Sequence, residues 1–298
     1  FYSVTAKDSL LDEYTRETVR RISLLAPEKL AADTVYFGGG TPSLLGGERI
    51  SGIMDALRNS VAISENAEIT VEANPSADLG EFIKGCAASG INRLSLGMQS
   101  AVPKELSAIG RRHTPDDVWR TMEQARGAGI DNISLDLMLG IPMQTPESLN
   151  ESLDFIEQAS PSHISAYMLK IEENTPFYRI QYALKLADED TLAEMYMQTF
   201  ERLEKAAYAQ YEISNAARPG FESRHNLKYW NCDEYIGIGP AAHGFQHGRR
   251  TYSDRSLKDY LAGAQPRSDD SFPEGGDIEE YVMLRLRLSC PPTIWPSV

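Results

Sequence analysis

Cysteine is scarce. The chain of 298 residues has three, Cys86, Cys232 and Cys290, too far apart for a disulfide scaffold or a zinc site. Basic residues are outnumbered. Lys and Arg total 29 against 43 Asp and Glu, a formal net charge of -14. Phosphate binding needs a basic surface, so nucleic acid is excluded as the default partner. No uncharged run of roughly 18 apolar residues occurs, which excludes a membrane-spanning helix. The start carries no charged segment leading into an apolar run, so no secretory signal is read and a cytoplasmic location is expected. Wholesale disorder is excluded as well. Apolar residues make up 42% and charged residues 24%, an ordinary globular balance. The sequence opens on Phe1, and its tail CPPTIWPSV follows an apolar segment, YVMLRLRL. Both ends read as cuts in a longer protein.

What is present alternates in kind. Short β-branched or aromatic runs recur every few tens of residues: TVYF (Thr34 to Phe37), EITVEA (Glu68 to Ala73), RLSLGM (Arg93 to Met98), NISLDLML (Asn132 to Leu139) and HISAYML (His163 to Leu169). Several are apolar on both faces, as buried parallel strands are. Amphipathic stretches of helical length separate them, entered by Pro, Thr or an acidic residue and often closed by Gly. The β-α order predicts an α/β fold, a parallel sheet or an open, incomplete β/α barrel. After Leu169 the rhythm changes. A helix near Glu189 to Ala207 leads into YEISNAAR, a polar turn, HNLKYW, a Gly-rich segment YIGIGPAAHGF and a short helix near Leu257 to Ala262. This part reads as an irregular closing region.

In parallel α/β folds the site lies at the carboxyl ends of the strands. The first predicted strand runs into GGGTPS, Gly38 to Ser43. Three glycines let a backbone approach a ligand closely, although an isolated run of this kind also makes a tight turn. It lacks the GK[ST] ending of a phosphate loop, and Ser43 stands where a dinucleotide loop needs Gly. Glu72 and Gln99 end the next two strands, Asp136 lies within the fourth, and Arg111 follows Gly110 in a connection. A carboxylate in an apolar strand is costly unless it is paired or ligand-bound. An ion pair with Arg93 or Arg111 would satisfy it; so would a ligand bringing an amino group or a ribose diol. His243 and His247 are four apart, but Pro240 and Gly244 argue against the helix that would align them. HNLKYW puts an imidazole, an amide and two aromatics in six residues, which suits a flat aromatic ligand or iron. Taken alone, the segment is better read as a capped turn anchored to the core by Tyr229 and Trp230.

GGGTPSLL, VEANP, RLSLGMQS, GRRHT, LDLMLGIPMQT and HNLKYW together resemble the radical S-adenosylmethionine family, in its oxygen-independent coproporphyrinogen III oxidase-like group, and most nearly the heme-chaperone branch of that group. The resemblance covers essentially the whole chain. It implies a radical SAM type of open β/α barrel over residues 1–208, lacking its first strand and cluster loop, and a closing region over 209–298 leading into a truncated C-terminal domain. It implies an S-adenosylmethionine site of Gly39, Gly40, Thr41, Glu72, Gln99, Arg111 and Asp136, and heme binding at His225, Asn226, Tyr229 and Trp230. GIGPAAHG matches a loop that closes near the adenine. The family's CxxxCxxC motif for a [4Fe-4S] cluster is missing, and the three cysteines are not spaced to replace it. Phe1 aligns just beyond that motif, so the cluster cysteines are expected upstream of it. An aromatic residue there is the mark of the chaperone branch. Two activities follow: heme binding and delivery to apo-hemoproteins of the respiratory chain, or radical decarboxylation of coproporphyrinogen III to protoporphyrinogen IX. Whether the chain is an enzyme is left open, and the 298 residues alone are expected to be inactive. The resemblance further implies a homodimer and peripheral membrane association. The acidic charge supplies no general pull on heme propionates, so any heme site has to be local.

Overall fold

A computed structural model describes residues 7–173, 175–268 and 278–289. Phe1, Cys290 and the tail after it lie outside the described residues, so the expectations placed on them are not addressed by the structure. The five apolar runs become five strands: β1 (Ala31–Phe37), β2 (Ala62–Ala73), β3 (Arg93–Gln99), β4 (Asn132–Leu139) and β5 (His163–Met168). Parallel pairing sets Val35 opposite Ile69, Leu94 opposite Ile133 and Leu135 opposite Ile164. YEISNAAR folds into a hairpin of β6 (Ala209–Glu212) and β7 (Asn215–Ala217), and β7 runs antiparallel to β5. The seven-stranded sheet has the order β1-β2-β3-β4-β5-β7-β6.

Local chemistry places the helices. Thr114 and Thr145 each form a capping box, with Asp117 and Ser148, ahead of helices Pro115–Gly127 and Pro146–Ala159. Proline at the first helical position costs nothing there, because its missing N–H would have no partner in the helix. Asp188 caps helix Glu189–Lys205 through the backbone N–H of Thr191.

Two compact units are distinguished. One holds the described residues of Phe1–Val71, Glu81–Asn92 and Ser223–Val298; the other holds Glu72–Gly80 and Arg93–Glu222. In the first, Ile22, Ile53 and Ala56 are buried together, with Phe37 and Leu45 packed on them. It also contains a three-stranded antiparallel sheet of β8 (His243–Gln246), β9 (Arg249–Tyr252) and β10 (Arg267–Ser268). His243 is thus on a strand and His247, at φ 53°, in the following turn. No helix aligns the two, as Pro240 and Gly244 foretell. In the second unit, Leu94, Leu96, Ile133, Leu135, Leu137 and Ile164 are fully buried. Each such side chain contributes about 1.5–3 kcal/mol by leaving water. Among the described residues no helix is long and apolar enough to cross a membrane.

Candidate functional site

The second unit gathers most of the predicted strand-tip residues. Asp136 and Glu72 lie close enough to repel, and that repulsion adds to burial in pushing the Asp136 carboxyl up to about 7. The positive charge of Arg93 and hydrogen bonds from Ser95 and Ser165 pull the other way without compensating. Arg93 is 2% exposed, and its Nε has no hydrogen-bond partner among the described residues. Arg111 feels the Asp136 charge, yet burial still lowers its pKa. Its Nη1 donates to Asn74 Oδ1 at 2.5 Å rather than to a carboxylate. Gln99 ends β3 buried, with φ at 65°. Gly97 explains how these groups fit together: a Cβ there would stand 2.8 Å from Gln99 Nε2 and 3.3 Å from Asn74 Oδ1. The tips of β2, β3 and β4 and the loop arginine therefore form one polar cluster.

A fully buried carboxylate in this unit shows what a satisfied one looks like. Glu105 is fully buried and accepts from Ser100 Oγ at 2.7 Å and Ser148 Oγ at 2.5 Å. Hydroxyl donors aimed at both oxygens meet the cost of burial. Asp136 receives from Ser95 Oγ at only 3.3 Å, with a second carboxylate close by. Arg93, Ser95 and Ser165 do not offset burial and the Glu72 charge, so a further cation or donor would stabilise the ionised carboxylate.

The glycine loop belongs to the first unit. Gly39 takes φ 88°, both Gly39 and Gly40 are exposed, and a Cβ on either would meet open space. Thr41 precedes a short turn of 3-10 helix, Pro42–Leu45. Among the described residues no three of His, Cys, Asp or Glu converge as metal ligands. Cys86 is buried, its thiol pushed up to about 12 by that burial. A cluster-ligating thiolate is out of reach there, and the described residues do not fit a [4Fe-4S] cluster.

HNLKYW also belongs to the first unit, and there the sequence is misleading. The segment is a helix, Arg224–Trp230, and not a turn. Ser223 caps it, accepting from Asn226 N at 3.3 Å. The Glu68 carboxylate, 156 and 157 positions away in sequence, accepts from the backbone N–H of Arg224 at 3.1 Å and of His225 at 3.0 Å. A carboxylate at a helix start answers both the orphan donors and the helix dipole. Lys228 and Arg224 flank Asp33, at 2.8 and 3.4 Å.

Within the helix His225 is clamped. Its Nδ1 is 2.8 Å from Thr34 Oγ1, its Nε2 is 2.8 Å from the Tyr229 hydroxyl, and its ring stacks on Tyr36 with centroids 5.0 Å apart. Tyr229 meets Tyr235 edge-on at 4.7 Å, and the Arg287 guanidinium lies 4.2 Å from the Trp230 ring centroid. The Trp230 Nε1 is buried with no hydrogen-bond partner among the described residues. Tyr229, Trp230 and Tyr235 border a cavity of about 390 Å³, closed further by Cys232, His243 and Leu284. That size lies within the range of small-molecule sites. The rim carries three charged groups: Arg250, whose Nε is 2.7 Å from Glu280 and whose Nη1 is 3.3 Å from the Tyr235 hydroxyl, Glu280 itself, and the exposed carboxylate of Asp233. A cavity of about 430 Å³ elsewhere in this unit is lined by Glu13, Arg16, Glu17 and Arg20, with Leu261, and offers no aromatic wall.

Several of these residues escape sequence reasoning. Asn74, Ser95 and Ser165 are small polar residues whose importance lies in what they touch. Glu68, Thr34 and Tyr36 act on HNLKYW from more than 150 positions away, and no local pattern marks them. The alternation of Glu68 with apolar Ile69 in β2 is the one available signal, since it leaves a carboxylate on a buried strand.

A family profile described as the radical SAM superfamily matches residues 4–156. The heme chaperone HemW of Mycobacterium tuberculosis is 39% identical over 274 residues, covering 89% of this chain and 70% of that protein. HemW of Bacillus subtilis is 36% identical, covering 94% and 76%, and HemW of Escherichia coli 38%, covering 86% and 68%. Among solved structures, coproporphyrinogen III oxidase from Escherichia coli superposes with a TM-score of 0.77 at 22% identity. That match covers 87% of this chain and 63% of the oxidase, and it shows the shared fold, an open, mostly parallel β/α half-barrel. The chain belongs to the radical SAM superfamily and, within it, to the HemW heme-chaperone family.

Proposed function

We propose that this protein binds heme and hands it to apo-hemoproteins. The observation that carries the reading is the helix Arg224–Trp230, whose clamped imidazole orients aromatic rings along a small-molecule-sized cavity. Flat aromatic walls with few unpaired charges suit a porphyrin plane. His225, Asn226, Tyr229 and Trp230 form the heme-binding segment in this reading. The family resemblance supports apo-hemoproteins of the respiratory chain as recipients, a cytoplasmic protein, a homodimer and peripheral membrane attachment.

In the same proposal S-adenosylmethionine binds at the strand tips of the second unit, through Glu72, Gln99, Arg111 and Asp136; the family resemblance assigns Gly39, Gly40 and Thr41 to the same ligand. The donor chemistry fits. Carboxylates accept from an ammonium group and ribose hydroxyls, and a guanidinium pairs with a carboxylate. The shortage of donors around Asp136 is the deficit such a ligand would make good. When bound, S-adenosylmethionine with a [4Fe-4S] cluster supplies radical chemistry; no role of these residues beyond binding and orienting is assigned. The division of the chain into residues 1–208 and 209–298 is proposed as a functional one, with all seven S-adenosylmethionine residues before it and the heme segment after it.

The test is a hemin titration followed by transfer to an apo-cytochrome. Saturable Soret formation by the chain is expected, weakened at least tenfold by Trp230→Ala in a variant that keeps its circular dichroism. Absence of saturable binding would sink the reading. So would anaerobic conversion of coproporphyrinogen III to protoporphyrinogen IX by cluster-loaded protein with no heme transfer.

A further inference from the structure

We propose that His243, and not the motif histidine His225, supplies the imidazole that ligates the heme iron. The inference rests on the reading of this protein as a heme carrier and names the iron ligand of that site.

An imidazole binds iron through the lone pair of one ring nitrogen, while the other nitrogen is usually held by a hydrogen bond. His225 has both nitrogens engaged, with Thr34 and with Tyr229, and one ring face covered by Tyr36. Ligation there would break a hydrogen bond and release the ring that orients Tyr229. His225 is therefore a positioning residue.

The sequence has five histidines, and the structure disposes of three others. His113 is buried and bonded to the Met98 carbonyl oxygen at 2.9 Å. His163 is fully buried between Ser134 and Tyr211, at 2.7 and 2.8 Å. His247 sits in the turn after β8, its Nδ1 3.8 Å from Glu234. His243 alone lines the aromatic cavity. Its ring lies 6.2 Å from that of Tyr252, and its nitrogens carry no hydrogen bond among the described residues. Its backbone is fixed by pairing with Tyr252 on β9 and by the close approach of Gly237, where a Cβ would stand 1.9 Å from the His243 carbonyl oxygen. A side chain available to a ligand on a fixed backbone is what a metal ligand requires.

The porphyrin plane would then lie along Tyr229 and Trp230, with its propionates toward solvent. Cys232 is a second donor on the same cavity. A thiolate-ligated heme is spectroscopically distinct from an imidazole-ligated one, so the two separate cleanly.

The experiment titrates hemin into the full chain and into His243→Ala, His225→Ala, His247→Ala and Cys232→Ser, followed by absorption and electron paramagnetic resonance. The wild type is expected to show an imidazole-ligated spectrum. His243→Ala is expected to lose it, to bind at least tenfold more weakly, and to regain the spectrum when free imidazole is added. His247→Ala and Cys232→Ser are expected to keep it. His225→Ala is expected to weaken binding while retaining imidazole bands in whatever heme remains bound. Wild-type bands in His243→Ala would overturn the assignment, as would their loss in Cys232→Ser. Absence of saturable hemin binding by the wild type would overturn the carrier reading itself, a different result from a wild type that binds and an unchanged His243→Ala.

Discussion

Asp136→Asn should make the ligand-free protein more stable at alkaline pH while weakening its grip on S-adenosylmethionine. Burial and the neighbouring Glu72 push the Asp136 carboxyl from 3.8 to about 7. That rise corresponds to a ceiling of about 4 kcal/mol against the ionised form. Asp136 keeps a partly exposed edge, so solvent screening reduces this to about 2 kcal/mol. The sign follows from proton linkage. Below pH 4 the carboxyl is protonated in both the folded and unfolded states, and there is no penalty. Between pH 4 and 7 the unfolded chain ionises while the folded one keeps its proton, so stability falls as pH rises; above 7 the loss is complete. Asparagine does not ionise, and its contribution is flat. Urea unfolding of the ligand-free chain from pH 4.5 to 8.5 should therefore show the variant gaining on the wild type with rising pH, reaching about 2 kcal/mol above pH 7. Calorimetric titration should show weaker S-adenosylmethionine binding by the same variant. A stability difference independent of pH, or a variant less stable than the wild type at pH 8.5, would refute the electrostatic reasoning.

Glu68→Gln leaves one acceptor oxygen for the two N–H groups that start helix Arg224–Trp230 and removes the charge; thermal unfolding should show a loss of about 1–2 kcal/mol, with weaker heme binding, and an unchanged melting temperature would count against this capping role. Gly97→Ala forces the Gln99 amide, 2.8 Å from the new Cβ, to move aside. Because the end of a flexible side chain yields, stability should change by less than about 1 kcal/mol, while S-adenosylmethionine affinity measured by calorimetry falls about tenfold; unaltered affinity would remove Gln99 and Asn74 from the site.

The sheet was legible because its signal is local. β3 is buried at every position, β4 at most, and β1 to β5 all fall on the β-branched or aromatic runs read from the sequence. Helices Pro115–Gly127 and Pro146–Ala159 announce themselves through Thr-Pro starts that form capping boxes. HNLKYW gives no such signal. Its helix depends on a carboxylate from β2 and a ring from β1, groups that the sequence places far away. The strand-tip residues could be named from their position after apolar runs, but not their state: that Arg111 turns to Asn74, and that Asp136 is short of donors, depends on tertiary distances. His243 shows the same limit. In sequence it is one of a pair four apart; in the fold it lines the same cavity as Trp230 and Tyr229.

Trp230 has an optical consequence. Of the two tryptophans among the described residues, Trp119 and Trp230, it is the one on the wall of the aromatic cavity, with its indole N–H screened from water and a guanidinium over its ring. Heme absorbs where indole emits, so a porphyrin lying against this ring would extinguish its fluorescence by energy transfer. The protein thus carries its own gauge of loading, and the return of that emission would time the departure of the cargo.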